Sequence, residues 1–207
     1  MNTDFLVNVS TLPVPFVGRF QTNGTRLDDE QFEMFCRQNP ELRIEQTKEG
    51  ELIVMPGTGG LTGNRNFRLT GRFGIWVEKD ATGVGFDSST IFTLPNGAKR
   101  SPDVSWIRKE RWNALSKEEQ QKFAPICPDF VVELRSRTDS IKTLQAKMLE
   151  YIENGAELGW LIDPMKRKVY VYRPNESVKI LDEPEEISGE PLLPKFTLKL
   201  KDFWEEK

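Results

Sequence analysis

The chain has 207 residues, of which 37% are hydrophobic and 10% aromatic, so it can bury a sizeable core and is not a disordered sequence. Its net charge of −3 excludes a general electrostatic attraction to nucleic acid, so that any such binding needs a local basic patch. The sequence contains no histidine, and hydrolytic or metal chemistry must therefore be carried by carboxylates, lysine and water.

The length fits a single domain over residues 1–207. We expect its core over about residues 27–174, followed by a charged, proline-containing peripheral segment over 175–207. No stretch approaches the roughly 20 apolar residues of a membrane span, and the first residues lack the basic start and apolar run of a signal peptide. We therefore expect a cytoplasmic protein without membrane contacts.

Two helices and a hairpin are predicted in the first half of the chain. Residues 27–41, "LDDEQFEMFCRQNPE", begin with acids, space apolar residues like a helix face and stop at Pro40. Residues 42–56 alternate in polarity on either side of Glu49-Gly50, which indicates a hairpin. The glycine-rich "GTGGLTGN" then leads into a second helix, "NRNFRLTGRFGIWVEKDA".

The second half predicts most of the central sheet. Strands flank the turn "PNGAK", and "LSKEEQQKF" is typical of a short helix. The apolar run "PDFVVELRS" leads into the helix "DSIKTLQAKMLEYIENG", which ends on Gly155, and the strands "LGWLIDP" and "KVYVYRP" follow. The pattern indicates a mixed α/β (α+β) fold, with a central mixed sheet of four or more strands flanked by helices.

Two carboxylates and one lysine form the most convergent set of polar residues. Asp103 stands in "SPDVSW", and Glu133 lies inside the apolar strand "FVVEL", where it needs a cation or hydrogen-bond donors. Lys147 lies eight residues after Asp139, about 12 Å along a helix, and Glu133 lies three residues before Ser136, about 10 Å along a strand. If the helix folds back along the strand, Lys147 and Glu133 meet at the same level.

These residue types suit metal-dependent phosphodiester cleavage. Asp103 and Glu133 offer hard oxygen ligands for Mg²⁺ or Mn²⁺, and Lys147 offers a cation near the attacking water or the phosphate. The flank position of Lys147 predicts that replacing it changes stability by less than about 1 kcal/mol.

The chain resembles the PD-(D/E)XK nuclease superfamily, and more closely its Uma-type family of restriction-endonuclease-like proteins. The similarity spans roughly residues 42–172 and rests on short, degenerate motifs: "LRIEQTKEGELIVMP", "SPDVSW", "PDFVVELRS" and "KMLEYIENGAELGWLIDP". The resemblance implies a restriction-endonuclease-like core and a Mg²⁺-dependent DNA endonuclease, with Asp103 and Glu133 as metal ligands.

The lysine departs from the superfamily pattern. Two residues after Glu133 stands Arg135, which stays protonated and cannot act as a base. In the Uma-type pattern a lysine lies on the next helix, four residues before a tyrosine, and "KMLEY" matches with Lys147. Glu45 also matches a glutamate of the family and could approach the site, but it is outside the predicted catalytic set.

Other interpretations remain open from the sequence alone. Asp103 is also typical of a turn, and Glu133 could form a structural ion pair with Arg135. The protein could be a catalytically silent nuclease fold that serves as a binding or assembly module, which the missing strand lysine and the acidic net charge favour. A glycosidase using two carboxylates is a third alternative.

A homodimer or larger homo-oligomer is expected, because two sites related by a two-fold axis match the symmetry of duplex DNA. The C-terminal stretch "PLLPKFTLKLKDFW" is apolar at Leu192, Leu193, Phe196, Leu198, Leu200 and Phe203. We expect this stretch to be an exposed contact between protomers.

Overall fold

The computed structural model describes residues 18–20, 26–55 and 57–205. Its helices are α1 (Asp29–Gln38), α2 (Gly60–Asp80), α3 (Lys109–Ala114), α4 (Lys117–Gln121), α5 (Ile141–Glu153) and α6 (Lys201–Trp204). Its strands are β1 (Gly18–Phe20), β2 (Arg43–Gln46), β3 (Leu52–Met55), β4 (Gly83–Asp87), β5 (Phe92–Thr93), β6 (Lys99–Arg100), β7 (Val104–Arg108), β8 (Phe130–Leu134), β9 (Leu158–Asp163), β10 (Lys168–Tyr172), β11 (Lys179–Asp182), β12 (Glu186–Ser188) and β13 (Thr197–Lys199). None of the helices within these ranges is long and apolar enough to cross a membrane.

A six-stranded mixed sheet forms the centre of the fold, in the order β11-β10-β9-β8-β7-β4. Its neighbouring strands are antiparallel except for β8 and β9, which run parallel. A parallel pair needs a crossover connection, and α5 provides it by running back along β8. The predicted mixed α/β fold, with a central mixed sheet flanked by helices, is confirmed.

The two faces of this sheet are covered by different parts of the chain. Trp106 and Phe130 point to the face that packs against α2 and the C-terminal segment. Ile107 and Val131 point to the opposite face, which packs against α5. Because side chains alternate along a strand, Glu133 shares the α5 face with Val131.

A second, five-stranded sheet has the order β1-β3-β2-β6-β5. The predicted hairpin forms its β2 and β3 strands, and Gly50 in the turn has a φ of 89°, which favours glycine. Helix α1 begins with a capping box in which Asp28 and Gln31 each bond to the other's backbone N–H. Strand β2 carries Glu45 towards the central sheet.

Helix α2 begins earlier than predicted, at Gly60 instead of near Asn64. The first N–H groups of a helix need no partner inside it, so glycines are tolerated in its first turn. The N-cap is Gly59, whose position provides no side-chain hydrogen bond. Residues 60–64 of the glycine-rich stretch thus form the first turn of the helix, and residues 57–59 precede it without regular secondary structure.

The C-terminal segment contributes to the core on the α2 face of the sheet. Strands β12 and β13 pair as a hairpin, and the apolar residues of this segment are buried with the sheet residues: Leu192, Leu193, Phe196, Leu198, Leu200 and Phe203. Arg72 of α2 bonds to the Lys199 carbonyl and to Asp202. The expectation that this stretch is an exposed contact between protomers is therefore wrong, because its apolar side chains cover the sheet of their own chain.

Replacing Phe203 with Ala is expected to destabilise the protein by about 3–5 kcal/mol, because the side chain is fully buried. Urea denaturation followed by circular dichroism measures the change. Ile180→Ala provides the control, since Ile180 is 55% exposed on β11, and it should cost less than about 1 kcal/mol. Equal effects of the two substitutions would contradict the placement of the C-terminal segment in the core.

Candidate active site

Asp103 lies immediately before β7, where that strand meets β8. Its backbone N–H donates to the Val132 carbonyl at 3.0 Å. One carboxylate oxygen accepts a hydrogen bond from the backbone N–H of Leu134 at 2.8 Å, and the other accepts from Asn66 of α2 at 3.1 Å. Asp103 is therefore fixed by two different elements, and it directly precedes β7, the strand that pairs with the strand of Glu133.

Glu133 is 5% exposed on the α5 face of β8. Its Oε1 accepts a hydrogen bond from the Tyr151 hydroxyl at 3.2 Å and lies 2.7 Å from the Lys147 ammonium. Tyr151 and Lys147 are one turn apart on α5, so both reach the same carboxylate. The alternative in which Glu133 pairs with Arg135 does not occur.

The Lys147 ammonium lies between two carboxylates. It is 2.7 Å from Oε1 of Glu133 and 2.7 Å from Oε1 of Glu45, and its side chain is 10% exposed. The Ser101 carbonyl accepts a further bond from it at 3.4 Å. The prediction that Lys147 and Glu133 lie at the same level is confirmed, because α5 returns along β8 and brings the two side chains into contact.

Glu45 and Arg100 belong to the same cluster and were outside the predicted catalytic set. Glu45 is 2% exposed and accepts hydrogen bonds from the Ser101 N–H at 2.9 Å and from Arg100 at 3.1 Å. Arg100 also donates to Glu150 of α5 at 2.6 Å. Glu45 lies on β2 of the other sheet, so this cluster joins the two sheets. The family match of Glu45 was the signal that could have included it.

The cluster has an excess of negative charge. Two cations, Lys147 and Arg100, face four carboxylates: Glu45, Asp103, Glu133 and Glu150. Arg43 and Asp139 add one charge of each sign near Asp103. With every group ionised, the net charge is −2. Such an excess is costly in a buried cluster unless a further cation approaches.

The pKa shifts locate this excess at Asp103 and Glu133. Burial raises the pKa of Glu133 to about 8, and the charges of Asp103 and Glu45 add to the rise although Lys147 opposes it. Burial also raises the pKa of Asp103. Burial acts in the same direction at Glu45, but Lys147 and Arg100 outweigh it and lower the pKa of that carboxyl. Glu45 is thus neutralised by its partners, whereas Asp103 and Glu133 are not.

Arg135 points away from these carboxylates. Its guanidinium donates to the carboxylate of Asp163 at 2.7 Å and to the Asp139 carbonyl at 3.2 Å. Asp163 is fully buried at the end of β9. Arg135 therefore neutralises a structural aspartate, while Lys147 is the cation that contacts Glu133.

The oxygen atoms of Asp103 and Glu133 suit a hard divalent cation. An ionised carboxylate has about four lone-pair sites, and the hydrogen bonds given above use only part of this capacity. Across residues 18–20, 26–55 and 57–205, no group of three His, Cys, Asp or Glu side chains is arranged to hold a metal ion. Mg²⁺ is commonly bound by one or two carboxylates, with water and substrate phosphate completing its shell. The two carboxylates therefore fit Mg²⁺ as a partial ligand set.

Comparison with known proteins supports the same type of fold. A family model named Uma2 and described as "Putative restriction endonuclease" matches residues 29–201. The chain also resembles a crystal structure from Anabaena variabilis, titled as a putative nuclease belonging to DUF820, with a TM-score of 0.68 and 23% identity. That match covers 79% of this chain and 90% of the other. At this identity the structural likeness shows a shared fold.

One curated relative matches a shorter part of the chain. The Bos taurus protein "NADH dehydrogenase (ubiquinone) 1 alpha subcomplex subunit 4-like 2" is 40% identical over 60 residues. These residues are 28% of this chain and 68% of the bovine protein. Because the family model spans residues 29–201, it accounts for far more of the fold and decides the assignment.

Proposed function

Because the chain belongs to the Uma2 family, described as "Putative restriction endonuclease", we propose that it is a Mg²⁺-dependent endonuclease that hydrolyses phosphodiester bonds in DNA. Asp103 and Glu133 bind the metal ion, for which Mn²⁺ can substitute, and Lys147 is the catalytic cation. The excess of carboxylates over cations in the buried cluster, a formal charge of −2 with every group ionised, is the observation that carries this proposal. One divalent cation would balance that formal charge and take the place of the proton that Glu133, with its pKa of about 8, otherwise holds at neutral pH.

The contacts of each residue define its proposed role in the reaction. Asn66 and the Leu134 N–H orient the carboxylate of Asp103, and Tyr151 orients that of Glu133. When bound, Mg²⁺ supplies a Lewis acid and neutralises charge on the scissile phosphate. Lys147 places its positive charge beside the metal ligands, where negative charge grows in the transition state.

Glu45 acts on the reaction through Lys147. Its carboxylate lies 2.7 Å from the ammonium, as the Glu133 carboxylate does, and this second contact restricts where the positive charge lies. Arg100 in turn holds Glu45. Glu45 is therefore a positioning residue, and Lys147 and Arg100 together keep it ionised.

Cleavage of supercoiled plasmid DNA in the presence of Mg²⁺ or Mn²⁺ tests the proposal. We expect nicked and linear products from the native chain and none from Asp103→Ala at the same concentration. If the native chain binds Mg²⁺ without cleaving any DNA, the silent binding module is the better account. Cleavage that Asp103→Ala leaves unchanged contradicts the proposed site.

Replacing Arg135 with Met is expected to leave cleavage within about threefold of the native rate, because Arg135 contacts Asp163 and not the site. The substitution should lower the free energy of unfolding by about 1–3 kcal/mol, since it removes a charged hydrogen bond from a buried carboxylate. Plasmid cleavage and urea denaturation measure the two effects. If Arg135→Met remains folded but loses as much cleavage as Asp103→Ala does, the catalytic cation is Arg135 and not Lys147.

A further inference from the structure

The solvent-exposed face of α2 is unusually apolar. Phe67 is 77% exposed, Ile75 is 57% exposed and Leu61 is 45% exposed. Gly71 and Gly74 lie on the same face, and Arg68 lies at its edge, where its guanidinium is 3.6 Å from the Asp202 carboxylate. A helix face in contact with water is ordinarily charged or polar, so this composition points to a protein partner.

Gly71 stands at the centre of this face without a local reason for glycine. A Cβ added there, or at Gly74, meets no atom within 4 Å in the described part of the chain. Glycine is less favourable than alanine inside a helix. A missing side chain at the centre of an exposed apolar face allows a second helix to approach closely.

Residues at equal distances before and after Gly71 have complementary side chains, so that two copies of the helix can match when they run in opposite directions. Phe67 and Ile75 lie four residues before and after Gly71, about 6 Å along the helix axis. Asn64 and Glu78 lie seven residues before and after it, about 10 Å along the axis. An antiparallel copy of α2 therefore places an apolar residue opposite an apolar residue, and an amide donor opposite a carboxylate.

We propose that this face of α2 binds the same face of a second copy of the chain, with the helices antiparallel about a two-fold axis at Gly71. Phe67 of each copy packs on Ile75 of the other, and each Asn64 amide donates to the Glu78 carboxylate of the other copy. At a crossing angle of about 20°, the helices diverge by only about 4 Å at the Asn64 and Glu78 positions. Antiparallel packing also aligns the helix dipoles favourably.

A two-fold contact of this kind is self-complementary and closes as a dimer. The dimer does not depend on the proposed nuclease activity, because no residue of the candidate active site takes part in the contact. The contact between protomers is then α2 and not the C-terminal segment, because the apolar residues of that segment are buried in their own chain.

Sedimentation velocity of the full chain in the micromolar range tests the interface. We expect a dimer for the native chain and an increase in its dissociation constant of about 30-fold or more for Phe67→Glu. Ile180→Glu introduces the same charge at a residue that is 55% exposed on β11, and it should leave the dimer unchanged. A native monomer, as expected if another segment of the chain covers this face, overturns the proposal, and so does equal weakening by both substitutions.

A charge exchange tests the antiparallel register. Asn64→Glu places two carboxylates opposite each other and should weaken the dimer, whereas the double variant Asn64→Glu with Glu78→Lys should restore it. Each variant should remain folded, because both positions are exposed, and circular dichroism checks this. A double variant that associates no better than Asn64→Glu overturns the two-fold arrangement at Gly71.

Discussion

Replacing Lys147 with Met is expected to reduce Mg²⁺-dependent DNA cleavage by about 10²–10⁴-fold. Lys147 is the cation that contacts Glu133, at 2.7 Å, and Met keeps its approximate length without the charge. The rate of plasmid nicking at saturating Mg²⁺ measures the loss. Lys147→Arg keeps the positive charge and should retain more activity than Lys147→Met, although its planar group fits the two carboxylates less well.

The same substitution is expected to destabilise the protein by about 3–5 kcal/mol at neutral pH, because it leaves buried carboxylates without their cation. This value replaces the smaller effect predicted from the flank position, since the Lys147 side chain is only 10% exposed. Urea denaturation gives the free energy of unfolding. A loss of stability alone could lower activity, so a second variant is needed.

The double variant Lys147→Met with Glu45→Gln separates the two effects. It removes one charge of each sign from the cluster, so part of the lost stability should return. Cleavage should stay as low as in Lys147→Met, because the catalytic cation is still missing. If the double variant recovers cleavage together with stability, Lys147 acts only in folding and the catalytic role is wrong.

Replacing Glu133 with Gln, or Asp103 with Asn, is expected to weaken Mn²⁺ binding by at least about 10-fold and to abolish cleavage. Each substitution removes one of the two anionic ligands that the proposed site offers. Isothermal titration calorimetry measures the affinity in the absence of DNA. Neither change should destabilise the metal-free protein strongly, because each removes one of the unbalanced negative charges.

Asp163→Asn is the matched control for the metal ligands. Asp163 is fully buried and paired with Arg135, so the substitution changes a buried carboxylate outside the site. Mn²⁺ affinity should stay within about threefold of the native value. If Asp163→Asn weakens Mn²⁺ binding as much as Glu133→Gln does, the effect is a general consequence of destabilisation and the site assignment is wrong.

The spatial relation between Glu133 and Lys147 could be predicted because it is local in sequence. A strand followed by a helix that returns along it brings two residues at equal depth together, whatever the rest of the fold does. The hairpin formed by β2 and β3 and the end of α5, at Glu153 just before Gly155, were likewise fixed by turn and cap residues. Such signals depend on neighbouring residues, which the sequence shows directly.

The wider cluster could not be predicted in the same way. Glu45 contacts Lys147 across 102 positions of sequence, and Asn66 reaches Asp103 from α2. These contacts depend on how two sheets and a helix assemble, which no local pattern records. The C-terminal stretch shows the same limit: its apolar residues require burial, but only the assembled fold decides whether their own sheet or a partner covers them.

An anomalous difference map from a crystal of the protein soaked in Mn²⁺ tests the central claim most directly. The claim is that Asp103 and Glu133 bind one divalent cation beside Lys147. The account predicts a single strong peak with carboxylate oxygens of both residues at metal–ligand distance, about 2.0–2.6 Å. A peak elsewhere, or none near these carboxylates at a Mn²⁺ concentration that supports DNA cleavage, would contradict it.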